Sequence, residues 1–226
     1  LPAEAPPAAE ASPAEASPAE ASPAEASPAE APPLQLDSTQ NNTEQTVTTL
    51  RTIRAEVQDC TKCKLHAGRQ KAVFGEGAPN ARVMFIGEAP GAREDQTGRP
   101  FVGEAGQLLD RILKNAMGLE RAEVFIANVN KCRPPANRTP EADEVAACLP
   151  YLHRQIEIVQ PEVLVCLGRT AAQNLLGSTE STTKLRQKQH EHQGIPVIVT
   201  WHPAYLLREP SRKREGPPLE PASGRT

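Results

Sequence analysis

Aromatic side chains are scarce in this sequence, with 4 Phe, 2 Tyr and 1 Trp among 226 residues, so each ring outside a core segment carries weight. An apolar run of about 18 residues, the length that crosses a bilayer as a helix, is missing. So are a glycine period and sustained heptads, which excludes collagen and coiled coil. Five cysteines are too few and too unevenly placed for a disulfide-stapled secreted scaffold. No positively charged start followed by an apolar stretch marks a signal peptide. The expectation is a cytoplasmic protein without a membrane segment.

Positive charge is missing from one end. The first 45 residues hold 8 acidic groups, 9 of the 23 prolines and no Lys or Arg, whereas the remaining 181 carry 25 basic and 20 acidic groups. The formal net charge of -3 therefore hides a basic body behind an acidic tail. Residues 11 to 30 are four tandem copies of ASPAE. Such a stretch cannot offset its ordering entropy by burial, and a proline every five residues interrupts any helix. Residues 1–45 are read as a disordered tether. Its plain role is a solubilising linker; the alternative is that its carboxylates compete with nucleic acid for the basic domain or bind a partner of unknown identity.

Period and composition then change. Val47, Leu50, Ile53 and Val57 recur three or four apart, an amphipathic helix ending near Cys60. Arg82 to Gly87, Val124 to Val129, Val163 to Gly168 and Ile195 to Thr200 are short runs of branched or aromatic residues and predict buried strands. Helical patterns fill the gaps at 104–117, 141–158 and 169–176. This alternation predicts an α/β fold: one domain over 46–214, a central mostly parallel four-stranded sheet flanked by helices, and a flexible end at 215–226. In such a sheet ligand chemistry gathers just beyond the carboxyl ends of the strands.

Cys60 and Cys63 form a CTKC turn, and Cys132 and Cys148 lie near the ends of a strand and a helix. Four such thiolates suit tetrahedral zinc or a [4Fe-4S] cluster equally well on sequence chemistry, against a plainer reading of a CxxC turn and two ordinary buried thiols. Cys166, inside the apolar VLVCLG run, is read as a small hydrophobe. Lys131 and Arg133 beside Cys132 favour thiolates. A ligated metal would pin the helix at 47–59 and the segment 132–148 against the sheet.

GEAPGAREDQTGRPFVGEAG, from Gly87 to Gly106, begins directly after a predicted strand. It is neither GxGxxG nor a Walker loop. It sets Glu88 at the strand end, where a carboxylate can hold or activate water, and Phe101 in a Gly/Pro-rich loop, where a ring can stack on a base. Asn128 ends the second predicted strand with a donor and an acceptor suited to an imide edge. His202 follows the fourth and can donate to an oxygen gaining negative charge. In HPAYLLREPSRKR, Leu206, Leu207 and Arg208 offer an apolar wedge for a base stack, with Arg208, Arg212, Lys213 and Arg214 available for phosphates. Two further basic clusters, Lys62, Lys64, Arg69 and Lys71, and Lys184, Arg186 and Lys188, make a positive face.

Together, GEAPG, NVNKCRPPANRTP and TWHPAYLLREP resemble the family 4, iron-sulfur uracil-DNA glycosylases of bacteria and archaea, over about residues 48–213. The resemblance implies hydrolysis of the N-glycosidic bond of uracil in DNA by a monomer, the first step of base excision repair. It implies a [4Fe-4S] cluster on Cys60, Cys63, Cys132 and Cys148. It assigns the catalytic groups to Glu88 and His202, base stacking to Phe101 and uracil reading to Asn128. It gives Glu94 a place on the side of the pocket that rejects the thymine methyl group, and DNA contact to Leu206, Leu207, Arg208 and Lys213. The sequence departs from the pattern at LRQKQHEHQ, 185–193, which puts DNA contacts there in doubt, and at Trp201. A related branch traps uracil-DNA covalently through a histidine in an inserted loop. His190 and His192 lie near that place, but the insertion and its RIH pattern are missing. The rival readings are that covalent relative, a non-catalytic iron-sulfur DNA-binding module, a cluster-dependent oxidoreductase, and structural zinc in place of iron.

Overall fold

A computed structural model describes residues 38–214, with side chains from Thr43 onward. Most of the expected tail and the expected flexible end lie outside the described residues. The first helix, α1 (Ser38–Gln58), starts well before the predicted Val47, so residues 38–45 are helix rather than tether. No proline follows Pro33 in this stretch, and Thr48, Thr49 and Thr52 each donate to the carbonyl four residues back. A packed C-terminal half then lets the polar first turns propagate. That half buries Leu50, Ile53 and Val57.

Next come the two-residue strand β1 (Glu76–Gly77) and the longer β2 (Val83–Gly87). Two helices follow, α2 (Ala92–Thr97) and α3 (Glu104–Ile112), the latter extended by a π-helical turn at Leu113–Met117. The chain continues with β3 (Phe125–Asn128), α4 (Ala142–Val159), β4 (Val163–Leu167) and α5 (Arg169–Leu176). It finishes with a single turn, α6 (Thr182–Leu185), then β5 (His190–His192), β6 (Ile195–Thr200) and α7 (Pro203–Arg208).

All four predicted strands form the parallel centre of a six-stranded sheet in the order β1-β3-β2-β4-β6-β5. Two short antiparallel edges were not predicted. β1 is too short to show a period. β5 is His-Glu-His, polar residues that do not read as a strand, and it is folded onto β6 by a two-residue turn with Gln193 and Gly194 at φ 52° and 82°.

Side chains alternate between faces along each strand. Met84, Ile86, Phe125, Ala127, Leu164 and Cys166 pack with α1 and α4, where Ile53, Leu152 and Ile156 are buried. Phe85, Ile126, Val165 and Leu167 pack on the opposite face with Leu109, Leu113 and Phe101. The register sets Gly87 opposite Asn128, Ile86 opposite Cys166, and Leu167 opposite Thr200. The carboxyl ends of the four central strands therefore finish in one row.

Ile86, wholly buried in β2, tests this core. Ile86→Ala is expected to cost about 2–5 kcal/mol, read as a lower urea midpoint, and a loss under about 1 kcal/mol would contradict the packing described.

Candidate functional site

Residues from the segments that follow three strands, β2, β3 and β6, line one cleft of about 460 Å³, among them Glu88, Glu94, Phe101, Asn128, His202 and Arg208. Five site residues expected from sequence thus meet with Arg208 in one place, and the way each is held differs.

Glu88 follows β2 directly. Its backbone carbonyl accepts from Asn130 N–H at 3.0 Å, which fixes the main chain. Among the described residues no protein partner is recorded for its carboxylate, which lines the cleft. Asn128, the last residue of β3, is 2% exposed and its Oδ1 has no partner among the described residues. A buried amide oxygen without a hydrogen bond is costly and marks a place for a donor from outside the chain.

His202 caps the N-terminus of α7, its Nδ1 accepting from Ala204 N–H at 3.1 Å. Burial, and then the Arg208 guanidinium, push its pKa down to about 4, against the opposing carboxylate of Glu94. The ring is therefore neutral near pH 7, and with Nδ1 accepting, its proton sits on Nε2. The outcome is an uncharged imidazole donor.

The Phe101 ring lies 5.7 Å from that of His202, tilted by 31°. It is buried and its backbone is left-handed, φ 48°, which is uncommon outside glycine. Two glycines make room. A Cβ on Gly87 would stand 2.6 Å from the Phe101 ring and 2.3 Å from Asn128 Oδ1, and one on Gly106 would stand 1.8 Å from the Phe101 carbonyl oxygen. Glu94 lines the cleft, but its Oε1 accepts from Val102 N–H and Gly103 N–H, both at 2.8 Å. That oxygen anchors the Phe101 loop at the start of α3.

The expected wedge is divided. Leu206 is buried, whereas Leu207 is partly exposed. The helical turn at 203–208 directs one leucine inward, so Leu207 and Arg208 are what remains at the surface there; Lys213 is exposed beyond them. The expected positive face is also reduced. Lys64 pairs with Glu141, Lys188 with Glu180, and Arg186 stands 4.6 Å over the Trp201 ring. Arg69 donates to the Cys60 carbonyl at 2.8 Å and to Cys132 Sγ at 3.1 Å. These cations hold protein, a use that spacing in sequence does not disclose. His190 and His192 sit on the edge strand β5 and do not line the cleft.

Sequence reasoning missed Asn137, Arg138 and Tyr205, which complete the lining. Arg138 is gripped by buried Glu144 at 2.9 and 2.6 Å, in a loop where Ala136 and Asn137 both have positive φ. The position of Asn137 and Arg138 one loop beyond the end of β3, and of Tyr205 in the turn after β6, was the available signal. Lys131, read in sequence only as a cation beside Cys132, is wholly buried. Its Nζ donates to the Asn128 carbonyl at 2.7 Å and to Gln155 Oε1 at 2.6 Å, and burial pushes its pKa down to about 8.

Cys60, Cys63, Cys132 and Cys148 line a second, small pocket with Lys62, Arg69 and Tyr151. Among the described residues no three His, Cys, Asp or Glu side chains converge on a point suited to one metal ion. The donor set nevertheless fits a larger sulfur-ligated group. Two N–H groups point at sulfur, Arg69 Nη1 at Cys132 and Lys131 N at Cys148, each at 3.1 Å, and cationic side chains stand by to balance negative charge. Burial pushes the Cys148 thiol up to about 11, and the Cys132 thiol up as well, opposed by Lys131 and Arg69 respectively. Bound metal reverses such shifts by deprotonating the thiols it ligates. Cys166 is the contrast: buried in β4, with its thiol pushed up to about 12 by burial alone.

A family model described as the uracil DNA glycosylase superfamily matches residues 74–219. The chain is 49% identical over 173 residues to the type-4 uracil-DNA glycosylase of Sulfurisphaera tokodaii, covering 73% of this chain and 79% of that one. It is 48% identical over 163 residues to that of Thermotoga maritima, covering 71% and 84%. Similarity to the type-5 uracil-DNA glycosylase of Pyrobaculum aerophilum is lower, 35% over 147 residues, covering 58% and 64%.

His202 gives a pH signature. Its pKa is about 4 in the fold and near 6.5 in an unfolded chain, so between these values the unfolded state binds the proton first. Stability is then full above about pH 6.5 and is lost as pH falls towards 4. Replacing His202 by Gln is expected to flatten this fall by up to about 3 kcal/mol, measured by urea unfolding at pH 7 and pH 4.5. An equally steep fall in both proteins would show that the ring is not neutral in the fold.

Proposed function

The chain belongs to the type-4 branch of the uracil-DNA glycosylase superfamily, and on that premise we propose that it hydrolyses the N-glycosidic bond of uracil in DNA. Free uracil is released and an abasic site remains, the opening step of base excision repair. The observation that carries this reading is the meeting of Glu88, Phe101, Asn128 and His202 around one cleft.

A base inside a duplex is out of reach of such a cleft, so the target nucleotide leaves the stack first. This costs a few kcal/mol, and least where uracil is mispaired or already single-stranded. Leu207 and Arg208 prop the gap and Phe101 stacks on the extruded ring. The Asn128 amide matches the imide edge of uracil, offering a donor to a carbonyl and an acceptor to N–H. The amine edge of cytosine presents the opposite pattern. As the glycosidic bond lengthens, negative charge grows on the base and positive charge on the sugar. His202 donates from Nε2 to the carbonyl gaining charge, and a neutral donor does so without holding the released base as a tight ion pair. Glu88, as a carboxylate, favours the positive sugar and orients water for attack at its anomeric carbon. Glu94 acts through the loop that it anchors.

The reading includes a [4Fe-4S] cluster on Cys60, Cys63, Cys132 and Cys148, supported by the four-sulfur donor set and its N–H···S bonds. When bound it supplies a cross-link between the end of α1 and the segment 132–148, with no part in bond cleavage. It also includes action as a monomer and a cytoplasmic location. Iron and sulfide analysis of freshly purified protein tests the cluster: about four of each are expected, and zinc in their place would overturn it.

Matched oligonucleotides carrying one uracil, thymine, cytosine or hypoxanthine, followed by alkaline cleavage, test the activity. Scission at uracil with thymine and cytosine spared is the expected result; none at uracil would sink the reading. Alanine at Glu88 or His202 is expected to lower turnover roughly 10²–10⁴-fold with little change in DNA affinity. Asn128→Asp is expected to admit cytosine.

A further inference from the structure

Phe101 holds a backbone conformation that an aromatic residue adopts only where its surroundings over-determine it. Glu94 grips one side of the strained peptide, taking the N–H groups of residues 102 and 103. The other side is gripped by a residue far along the chain. Arg121, in the 3-10 turn Arg121–Glu123 before β3, donates from Nη1 to the Phe101 carbonyl at 3.2 Å and from Nη2 to the Pro100 carbonyl.

Its guanidinium is itself fixed. Nε donates to Glu76 Oε1 at 2.6 Å and Nη1 to Asp110 Oδ1 at 2.8 Å. Glu76 is steadied in turn by Arg99, at 2.8 and 3.1 Å. Two carbonyls and two carboxylates thus converge on one planar group, from β1, α3 and the loop between α2 and α3. A lysine, with one nitrogen at the end of a flexible stem, cannot span such a set. The carbonyls taken belong to the ring in the cleft and its predecessor, and Gly106 leaves the space that the Phe101 carbonyl needs.

We infer that Arg121 is a positioning residue for base recognition, holding the Pro100 and Phe101 carbonyls so that the Phe101 ring stands against His202 and faces the base. Arg121 touches neither base nor sugar, and its effect passes through Phe101. The inference rests on the reading of the cleft as a uracil pocket.

The test is a double-mutant cycle on the full-length protein, read by the inhibition constant of free uracil and by kcat and KM on a uracil oligonucleotide. Arg121→Met is expected to weaken inhibition by free uracil roughly tenfold, the size of one lost base–aromatic stack, and to raise KM more than it lowers kcat. In a Phe101→Ala background the same substitution is expected to change the constant less than about twofold, because the ring through which Arg121 acts is already gone. An equal factor in both backgrounds would mean a general structural role and overturn the inference, as would unchanged inhibition by Arg121→Met alone. If Arg121→Met gives no soluble protein, Arg121→Gln is read in the same way; failure of both to fold would assign Arg121 to folding alone and overturn it. An unmodified protein that releases no uracil would instead bring down the uracil-pocket reading, and this inference with it.

Discussion

The parallel register of the central strands is the constraint on which the site depends. With Gly87 opposite Asn128 and Leu167 opposite Thr200, the first residues past each strand have no choice but to crowd one edge. Glycine then makes the crowding tolerable. Gly87 brings the Asn128 amide and the Phe101 ring to positions that any Cβ would occupy, and Gly168, at φ 90°, has its absent Cβ 2.9 Å from that of His202. A slip of one residue in any central strand would turn these groups to the opposite face, and the two cores on either side of the sheet prevent it.

Around this row the chain invests in rigidity. Phe101 is strained and tied at both peptide ends. His202 is fixed as a helix cap. Asn128 is backed by Lys131, whose buried ammonium bridges the strand-end carbonyl to Gln155 of α4, while Gln155 donates onward to the Phe74 carbonyl at 2.9 Å. The same lysine offers its main-chain N–H to Cys148. The cysteine pocket and the strand that carries Asn128 are thus joined by a short run of hydrogen bonds, which gives these cysteines a structural reason to stand where they do.

Much of this was legible in sequence because it follows from period and placement. Ile195–Thr200 and Arg169–Leu176 are found as predicted, since branched runs and helical spacing report burial directly. That Glu88, Asn128 and His202 would share one cleft was legible because they sit at strand ends. What escaped is what requires three dimensions. Nothing in the order of residues says that Leu206 faces inward while Leu207 does not, or that Arg69 serves Cys132 instead of a nucleic acid. Arg121 drew no reading from sequence and Lys131 only one as a cation favouring thiolates beside Cys132, and only the fold shows the first clamping two carbonyls and the second buried. β5 was illegible because two histidines and a glutamate are poor strand formers, paired only through the turn at Gln193–Gly194.

The central claim is that the ends of three neighbouring segments, those of β2, β3 and β6, enclose one extruded base. A crystal structure of the protein bound to a duplex carrying an uncleavable 2′-fluoro analogue of deoxyuridine tests it most directly. The account predicts the base outside the helix, its face on Phe101, its imide edge on the Asn128 amide and its 2-carbonyl within hydrogen-bond distance of His202 Nε2. A base left stacked in the duplex, or seated on another surface with this cleft unoccupied, would contradict it.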